Sequence, residues 1–343
     1  MKHRIIPIFI PQMGCPFQCI FCNQHIISGE KNEITFERIT NQIKEGIEVN
    51  NGSVEVAFYG GNFTAIDIFY QKRFLEIANS FGNVKSIRIS TRPDCINKEI
   101  LYFLKEYNVK TIELGIQSMF DEVLMACNRG HTSNDNIKAM ELIKEFDFIL
   151  GVQVMAGLPQ SNFEKDIETV RKVVKYKPDI ARIYPTLVIK DTYLEKMFKE
   201  GKYKPLDLED AIYISAKMKL EFILNNVKVI RTGLQATDEI NCDKDVIAGP
   251  FHPAFGELVD SEIIYNIIIN SIEEKGINTD YIEIYSHTKN ISKIIGINKC
   301  NIYRFKSQKN IIVKVIQNET INIEKIVINS FNYKPYEIYI NNL

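Results

Sequence analysis

The sequence has no long uninterrupted apolar segment, almost no net charge and no internal repeat. No hydrophobic run approaches the roughly 18 residues of a membrane-spanning helix, because Lys, Asn or Glu interrupts the isoleucine-rich stretches. The 42 basic and 43 acidic residues give a net charge of −1, which removes any global electrostatic attraction to DNA or to anionic membranes. These absences favour a globular protein of one large α/β domain with an appendage, and exclude membrane and DNA as expected partners.

The amino terminus also lacks the features of a cleavable signal. Pro7 and Pro11 interrupt its short apolar run, and no small-residue cleavage site follows. The seven cysteines are an odd number, and three of them fall within eight residues, which is not the spacing of a secreted disulfide framework. We therefore expect a cytoplasmic protein whose clustered thiols act in a reducing compartment.

Short β-branched segments alternate with amphipathic helical patterns. The strand candidates lie at 4–10, 54–59, 85–90, 110–116, 149–155 and 180–185, and the helical patterns between them at 35–49, 67–81, 97–107, 134–146 and 162–176. Such alternation predicts a parallel sheet, either doubly wound or a full or partial barrel, with its ligand at the carboxyl ends of the strands. A seventh apolar segment, 227–234, follows a helical pattern at 208–224.

The composition changes character near Gly249-Pro250 and His252-Pro253. We place a boundary within 235–265 and assign residues 1–245 to the first domain and 246–343 to a small C-terminal α/β module. Its strand candidates lie at 281–285, 311–316 and 321–328.

Three cysteines, Cys15, Cys19 and Cys22, share the loop after the first strand candidate. Thiolates so close in the chain can converge on one metal centre. A 4Fe-4S cluster held by three cysteines leaves one iron open to a further ligand. A structural zinc site would need a fourth ligand, for which His25 is the candidate. Clustered thiols without any metal would be an oxidation hazard.

The spacing CxxxCxxC, with Phe21 before the third cysteine, resembles the radical S-adenosylmethionine (radical SAM) enzymes. The resemblance implies a partial parallel (β/α)6 TIM-like barrel, with a 4Fe-4S cluster on Cys15, Cys19 and Cys22 at its mouth. It also implies that S-adenosyl-L-methionine (SAM) binds the open iron, and that an electron donor such as flavodoxin or ferredoxin reduces the cluster. In that family, reductive cleavage of SAM yields a 5′-deoxyadenosyl radical that abstracts hydrogen from the substrate.

Residues at the following strand ends resemble the family's SAM contacts. Glycines after the second strand let backbone carbonyls approach an ammonium group, and Asn62 stands where relatives often have Glu. Gln117 offers a donor and an acceptor to vicinal hydroxyls, and Arg129 offers a bidentate fork to a carboxylate. Taken singly, these residues would more often be turn, cap, surface ion-pair or core residues. The implied cofactor-binding set is Phe21, Gly60, Gly61, Ser90, Arg92, Gln117, Arg129 and Met155.

Three segments resemble the radical SAM domain of the Elongator catalytic subunit more narrowly: FYGGNFT at 58–64, STRPD at 90–94 and RIYPTLVIK at 182–190. The match covers roughly residues 4–235. This resemblance implies RNA, specifically tRNA, as the substrate. The segment after the boundary is too short for that subunit's acetyltransferase domain and lacks its glycine-rich coenzyme A loop, so we do not expect the acetyl-dependent reaction. The other cysteines have no pair spacing, which disfavours a second cluster and sulfur insertion.

The C-terminal module carries a degenerate signature of RNA binding. The segment ISKIIGINKCNI at 291–302 resembles the core of a KH module, which grips nucleic-acid backbone through a GxxG loop, although Lys299 replaces the second glycine. The stretch 289–309 contains no Asp or Glu and six cations, which are Lys289, Lys293, Lys299, Arg304, Lys306 and Lys309. The alternative is an accessory cap over the barrel.

Two further hypotheses remain open at this stage. The cysteine spacing and the interval from Gln117 to Arg129 also resemble the coproporphyrinogen dehydrogenases, which act on a small molecule. A non-catalytic alternative is a zinc-dependent RNA-binding protein. The substrate-side candidates, none supported by more than its position, are Tyr184, Lys190, Arg231, Gln235 and His252.

Overall fold

The computed structural model describes residues 4–29, 34–50, 52–234, 245–330 and 333–340. The strands within them are β1 (Arg4–Phe9), β2 (Val54–Tyr59), β3 (Val84–Thr91), β4 (Val109–Gln117), β5 (Ile149–Ala156), β6 (Ile180–Pro185), β7 (Val188–Ile189), β8 (Lys228–Thr232), β9 (Val246–Ala248), β10 (Tyr281–Ser286), β11 (Ile312–Gln317), β12 (Lys325–Ser330) and β13 (Tyr333–Tyr339). The helices are α1 (Gln24–Ser28), α2 (Phe36–Asn50), α3 (Ile68–Asn79), α4 (Lys98–Glu106), α5 (Asp121–Ala126), α6 (Ser133–Glu145), α7 (Phe163–Val174), α8 (Tyr193–Lys199), α9 (Leu208–Leu224), α10 (Phe255–Glu274), α11 (Thr288–Ile295) and α12 (Cys300–Lys309). None of these helices is long and apolar enough to cross a membrane.

Seven parallel strands form a curled half-barrel in the order β1-β2-β3-β4-β5-β6-β8. Helices cross over between consecutive strands and pack on the outer face, as right-handed βαβ units require. The predicted partial barrel is confirmed. The apolar segment 227–234 supplies a seventh strand, so the sheet is one strand wider than the six-stranded barrel expected from the sequence.

Short polar side chains begin most of the barrel helices where the sequence pattern predicts. Asp67, Asn97 and Asn162 each accept a backbone N–H from the first turn of α3, α4 and α7. Helix α6 begins earlier than expected because Thr132 and Asp135 form a reciprocal capping box. The apolar faces of these helices and the inner positions of the strands form one continuous core.

The C-terminal strands form a second, four-stranded sheet in the order β11-β10-β12-β13. Strand β10 is parallel to β11 and antiparallel to β12. Strand β12 begins at Lys325, later than expected, because Asn318 and Asn322 cap local turns through bonds to the backbone N–H groups of Thr320 and Glu324.

Helix α10 joins the two cores. Its first half, with Phe255 and Val259, packs with residues of α9, whereas Ile268 and Ile272 in its second half lie in the core under the four-stranded sheet. A buried ion-pair group reinforces this junction, since Asp260 on α10 pairs with Lys219 on α9 and with Lys293 on α11. The division at residues 245 and 246 stays a prediction.

Candidate functional site

A cavity of about 630 Å³ opens inside the half-barrel at the carboxyl ends of its strands. This is the edge at which barrels of this type place their ligands. The cavity gathers residues that are far apart in the sequence. All the predicted metal ligands and cofactor contacts line it, together with two substrate-side candidates: Cys15, Cys19, Phe21, Cys22, Gly60, Gly61, Ser90, Arg92, Gln117, Arg129, Met155, Tyr184 and Arg231.

The three cysteines of the loop after β1 all line this cavity. Cys19 is buried, and its Sγ accepts a hydrogen bond from Nη1 of Arg129 at 3.1 Å. Nε2 of Gln24 donates to Sγ of Cys22 at 3.2 Å. Burial, followed by the neighbouring thiol of Cys19, raises the pKa of Cys15 and raises that of Cys22 to about 12. A bound cation would reverse this effect, because metal ligation favours the thiolate.

The donor chemistry of the loop suits an iron–sulfur cluster, which is held by cysteine thiolates. Within the described ranges, no three Cys, His, Asp or Glu side chains are arranged closely enough to hold a metal ion as they stand. His25, the proposed fourth zinc ligand, is solvent-exposed on α1 and does not line the cavity.

Unsatisfied buried polar atoms surround the same cavity. In the part of the chain that the structure describes, Oγ of Ser90, Oε1 of Gln117 and Nε of Arg129 are buried and have no hydrogen-bond partner. A buried polar atom left without a partner costs about 1–3 kcal/mol. A ligand with hydroxyl and carboxylate groups would satisfy these atoms, so the residues present fit SAM.

Gln117 reaches the cavity through a local irregularity of strand β4. The register between β4 and β5 shifts between Gly115 and Gln117, which marks a bulge. Gln117 itself adopts a left-handed conformation with φ of 64°. Bulges and non-glycine residues at positive φ are enriched next to functional sites, where they redirect a side chain.

Asn62 has a different role from the ligand contact that its position suggests. It is fully buried; its Oδ1 accepts hydrogen bonds from Oγ1 of Thr91 at 2.6 Å and from the N–H of Arg92 at 3.1 Å. Its Nδ2 donates to the carbonyl of Gly14 at 3.0 Å. Asn62 therefore fastens the cluster loop to the ends of β2 and β3. A Cβ at the preceding Gly61 would lie 2.7 Å from carbonyl oxygens of the same loop, so this glycine is required by packing alone.

We expect Asn62→Ala to lower the free energy of unfolding by about 2–3 kcal/mol, because the Gly14 carbonyl and the Arg92 N–H lose buried partners. Urea unfolding of the cluster-free protein measures this change. Asn79→Ala is the matched control, since Asn79 is exposed and makes a single bond to the carbonyl of Tyr107. Equal effects of the two substitutions would contradict the fastening role.

Arg92 packs against Phe17 and so stabilises the cluster loop. Its guanidinium is paired with Asp94 through Nε at 3.0 Å and Nη2 at 2.9 Å, and it lies over the ring of Phe17 at 5.0 Å. Gly130 packs on the other side of Phe17, where a Cβ would lie 2.4 Å from the ring. Arg92 is thus engaged in positioning the loop, although it also lines the cavity.

A charged cluster that sequence analysis missed fills the barrel interior. Glu113 on β4 accepts from Nη1 of Arg88 at 2.9 Å, Nε of Arg182 at 2.6 Å, the hydroxyl of Tyr59 at 3.1 Å and Nε2 of Gln153 at 3.1 Å. Burial alone would raise the pKa of Glu113, but Arg182 and Arg88 hold it below its usual value. The sequence signal for this buried cluster is a charged residue near the centre of each of several otherwise apolar strands.

Two of the other substrate-side candidates lie away from the cavity. Lys190 is exposed and does not line the cavity. His252 uses Nδ1 to accept the N–H of Ala254 at 3.1 Å, just before α10. Gln235 lies outside the described residues.

The basic stretch of the C-terminal module carries less free charge than its sequence indicates. Carboxylates of α10 neutralise half of the six cations, through the pairs Lys293–Asp260, Arg304–Glu262 and Lys309–Glu273. The segment from Gly296 to Lys299 does connect α11 to α12, as expected for the KH-like core. RNA binding by this loop stays a prediction.

Two family models match consecutive parts of the chain. Residues 9–173 match the model of the radical SAM superfamily, and residues 178–265 match that of the radical SAM C-terminal domain. Together they include every cavity-lining residue from Phe9 to Leu234.

Two curated relatives and one solved structure are similar to this chain. A tRNA uridine(34) acetyltransferase of Methanocaldococcus jannaschii is 37% identical, over 54% of this chain and 38% of that protein. Human Elongator complex protein 3 is 33% identical, over 48% of this chain and 34% of that protein. The structure of Methanocaldococcus infernus Elp3 covers 81% of this chain and 64% of that chain with a TM-score of 0.58 and 24% identity, and shows the fold. The chain therefore spans well under half the length of these curated relatives.

Proposed function

Because this chain belongs to the radical SAM superfamily and is an enzyme, we propose that it modifies RNA, with tRNA as its substrate. The proposal is confined to radical chemistry, since the matched regions are the two radical SAM regions. Members of this family use a 4Fe-4S cluster and SAM, which together supply the radical that abstracts hydrogen from the substrate. We further propose an electron carrier such as flavodoxin or ferredoxin as the source of the reducing electron.

The cluster site that we propose is the loop with Cys15, Cys19 and Cys22. Its support is the family membership together with the position of the three thiols on the cavity wall. Arg129 contributes by donating to the Cys19 sulfur at 3.1 Å, because hydrogen bonds to cluster sulfurs influence the electronic properties of such centres.

The SAM site that we propose is the adjoining wall formed by the ends of β2 to β5. Its support is the set of buried atoms without partners, on Ser90, Gln117 and Arg129. Gly60 and Gly61 line the same wall, and the side chain of Met155 provides an apolar surface on it. In this arrangement Gln117 holds hydroxyl groups and Arg129 a carboxylate.

The similarity to tRNA-modifying relatives across the radical SAM regions is the observation that carries the choice of RNA. The test is the yield of 5′-deoxyadenosine from anaerobically reconstituted, dithionite-reduced protein, with SAM and with or without total tRNA. We expect tRNA to raise the yield. A yield raised instead by coproporphyrinogen III, or by neither compound, would contradict the RNA proposal and leave the radical SAM assignment standing.

A further inference from the structure

The cavity wall is positively charged. Four arginines line it, Arg92, Arg129, Arg182 and Arg231, and no Asp, Glu, Lys or His of the described residues does so. A cleft lined by charges of one sign within low-dielectric walls focuses the field and attracts ligands of the opposite sign. Anionic groups of a ligand are therefore favoured wherever one of these guanidinium charges is not already compensated.

Three of the four guanidinium groups already have partners. Arg92 is paired with Asp94. Arg129 donates to the Gly115 carbonyl at 2.6 Å as well as to a cluster-loop sulfur. Arg182 is paired with Glu113, at 2.6 Å. These three charges serve the cluster end of the cavity and the barrel interior.

Arg231 is different. It is half-buried in β8 and lines the cavity. Among the residues that the structure describes, it has no hydrogen-bond or ion-pair partner. Strand pairing sets it opposite Arg182, which in turn lies opposite Gln153. Like charges directly opposite each other destabilise a sheet. The carboxylate of Glu113 compensates Arg182, whereas no described carboxylate on the cavity wall compensates Arg231.

A second polar group adjoins this guanidinium. Tyr184 lies two residues beyond Arg182 on the same inward face of β6 and also lines the cavity. Burial raises the pKa of Tyr184, so its hydroxyl stays protonated and can donate a hydrogen bond. The predicted SAM contacts lie on the cluster loop, at the ends of β2 to β5 and, for Arg129, between α5 and α6. This leaves the wall formed by β6 and β8 for another ligand.

We propose that Arg231, assisted by the hydroxyl of Tyr184, binds a phosphate group of the substrate. A planar guanidinium matches the oxygens of a phosphate in a bidentate manner. This inference rests on the proposed function, because an RNA substrate carries a phosphate on each side of the nucleotide that enters the cavity. It makes Arg231 a residue that selects nucleotides over uncharged substrates.

The test compares Arg231→Met and Arg231→Lys with the wild-type chain in binding a fluorescein-labelled anticodon stem-loop RNA that carries uridine at the wobble position. We expect Arg231→Met to weaken binding roughly tenfold to a hundredfold, as for the loss of a hydrogen-bonded charge. The slope of log affinity against log salt should fall by about 1 for this variant, and Arg231→Lys should keep the slope.

Arg171→Met is the matched control, since Arg171 lies on the exposed face of α7, paired with Glu221, and should bind RNA as the wild type does. Thermal unfolding shows whether each variant is folded. Because Arg231 has no partner among the described residues, its replacement should not lower the melting temperature. Should Arg231→Met nevertheless misfold, Arg231→Lys still tests the loss of the bidentate fork.

A second arm compares uridine 5′-monophosphate with uridine by equilibrium dialysis. The wild type should prefer the nucleotide, and Arg231→Met should lose this preference. If only that preference is lost and RNA binding is unchanged, the site takes a mononucleotide, and its assignment to RNA is overturned. Unchanged RNA affinity and salt slope with unchanged nucleotide preference would overturn the phosphate site alone. Absence of RNA binding by the wild type would overturn the proposed function as well.

Discussion

Replacing Cys19 by serine should reduce the iron content of the reconstituted protein to below about a tenth of the wild-type value, because a neutral hydroxyl cannot replace a thiolate as a cluster ligand. Formation of 5′-deoxyadenosine should fall at least as far. Cys19 is the informative member of the three, since it is the buried one and accepts the hydrogen bond from Arg129.

Cys300→Ser is the matched control for this substitution. Cys300 lies at the start of α12 in the C-terminal module and does not line the cavity. It should retain wild-type iron and activity. If Cys19→Ser kept its iron, or if both variants lost iron equally, the assignment of the cluster to the loop after β1 would be wrong.

Replacing Glu113 by glutamine should lower the free energy of unfolding by about 3–5 kcal/mol, the usual cost of removing one partner from a buried ion pair. Glu113 is 1% exposed and binds two arginines that are themselves largely buried. Without its charge, Glu55 is the one remaining carboxylate bound to this cluster in the described structure, through Arg88. An uncompensated guanidinium would then be left inside the barrel.

The effect of Glu113→Gln should depend on pH in a definite direction. The folded-state pKa of Glu113 is lowered, so its ionised form stabilises the protein above the unfolded pKa of about 4.3. That stabilisation is lost as the pH falls through the folded value. The difference from the wild type should therefore be full at pH 7 and shrink below about pH 4.

Urea unfolding of the cluster-free protein at several pH values measures this difference. Glu141→Gln is the control, because Glu141 is exposed on α6. A wild-type unfolding free energy for Glu113→Gln at pH 7 would contradict the proposed importance of the buried cluster.

Much of the barrel could be predicted from the sequence because its signals are local. Apolar strands alternate with amphipathic helices, and capping residues such as Asp67 and Asn97 mark helix starts. The loop with the three cysteines was likewise visible, since its residues are adjacent in the chain. Strand β13 was missed, because Pro335 and the polar residues around it disrupt the alternation that reveals a strand.

What the sequence could not reveal is pairing between distant residues. The partners of Glu113 come from four other strands, and those of Lys293 and Arg304 come from α10, about 30 to 40 residues away. Half of the six cations in the stretch 289–309 are therefore neutralised by ion pairs in the folded protein. Similarly, the position of Asn62 in the sequence suggests a ligand contact. In the fold, its side chain instead forms hydrogen bonds to Thr91, Arg92 and Gly14.

The most direct test of the central claim is metal analysis of the anaerobically reconstituted protein combined with electron paramagnetic resonance of the dithionite-reduced sample, with and without SAM. We predict about four irons per chain and a reduced-cluster signal that SAM shifts, because one iron is left open by the three cysteines. Zinc without iron, and no paramagnetic signal, would contradict the cluster and, with it, the radical enzyme.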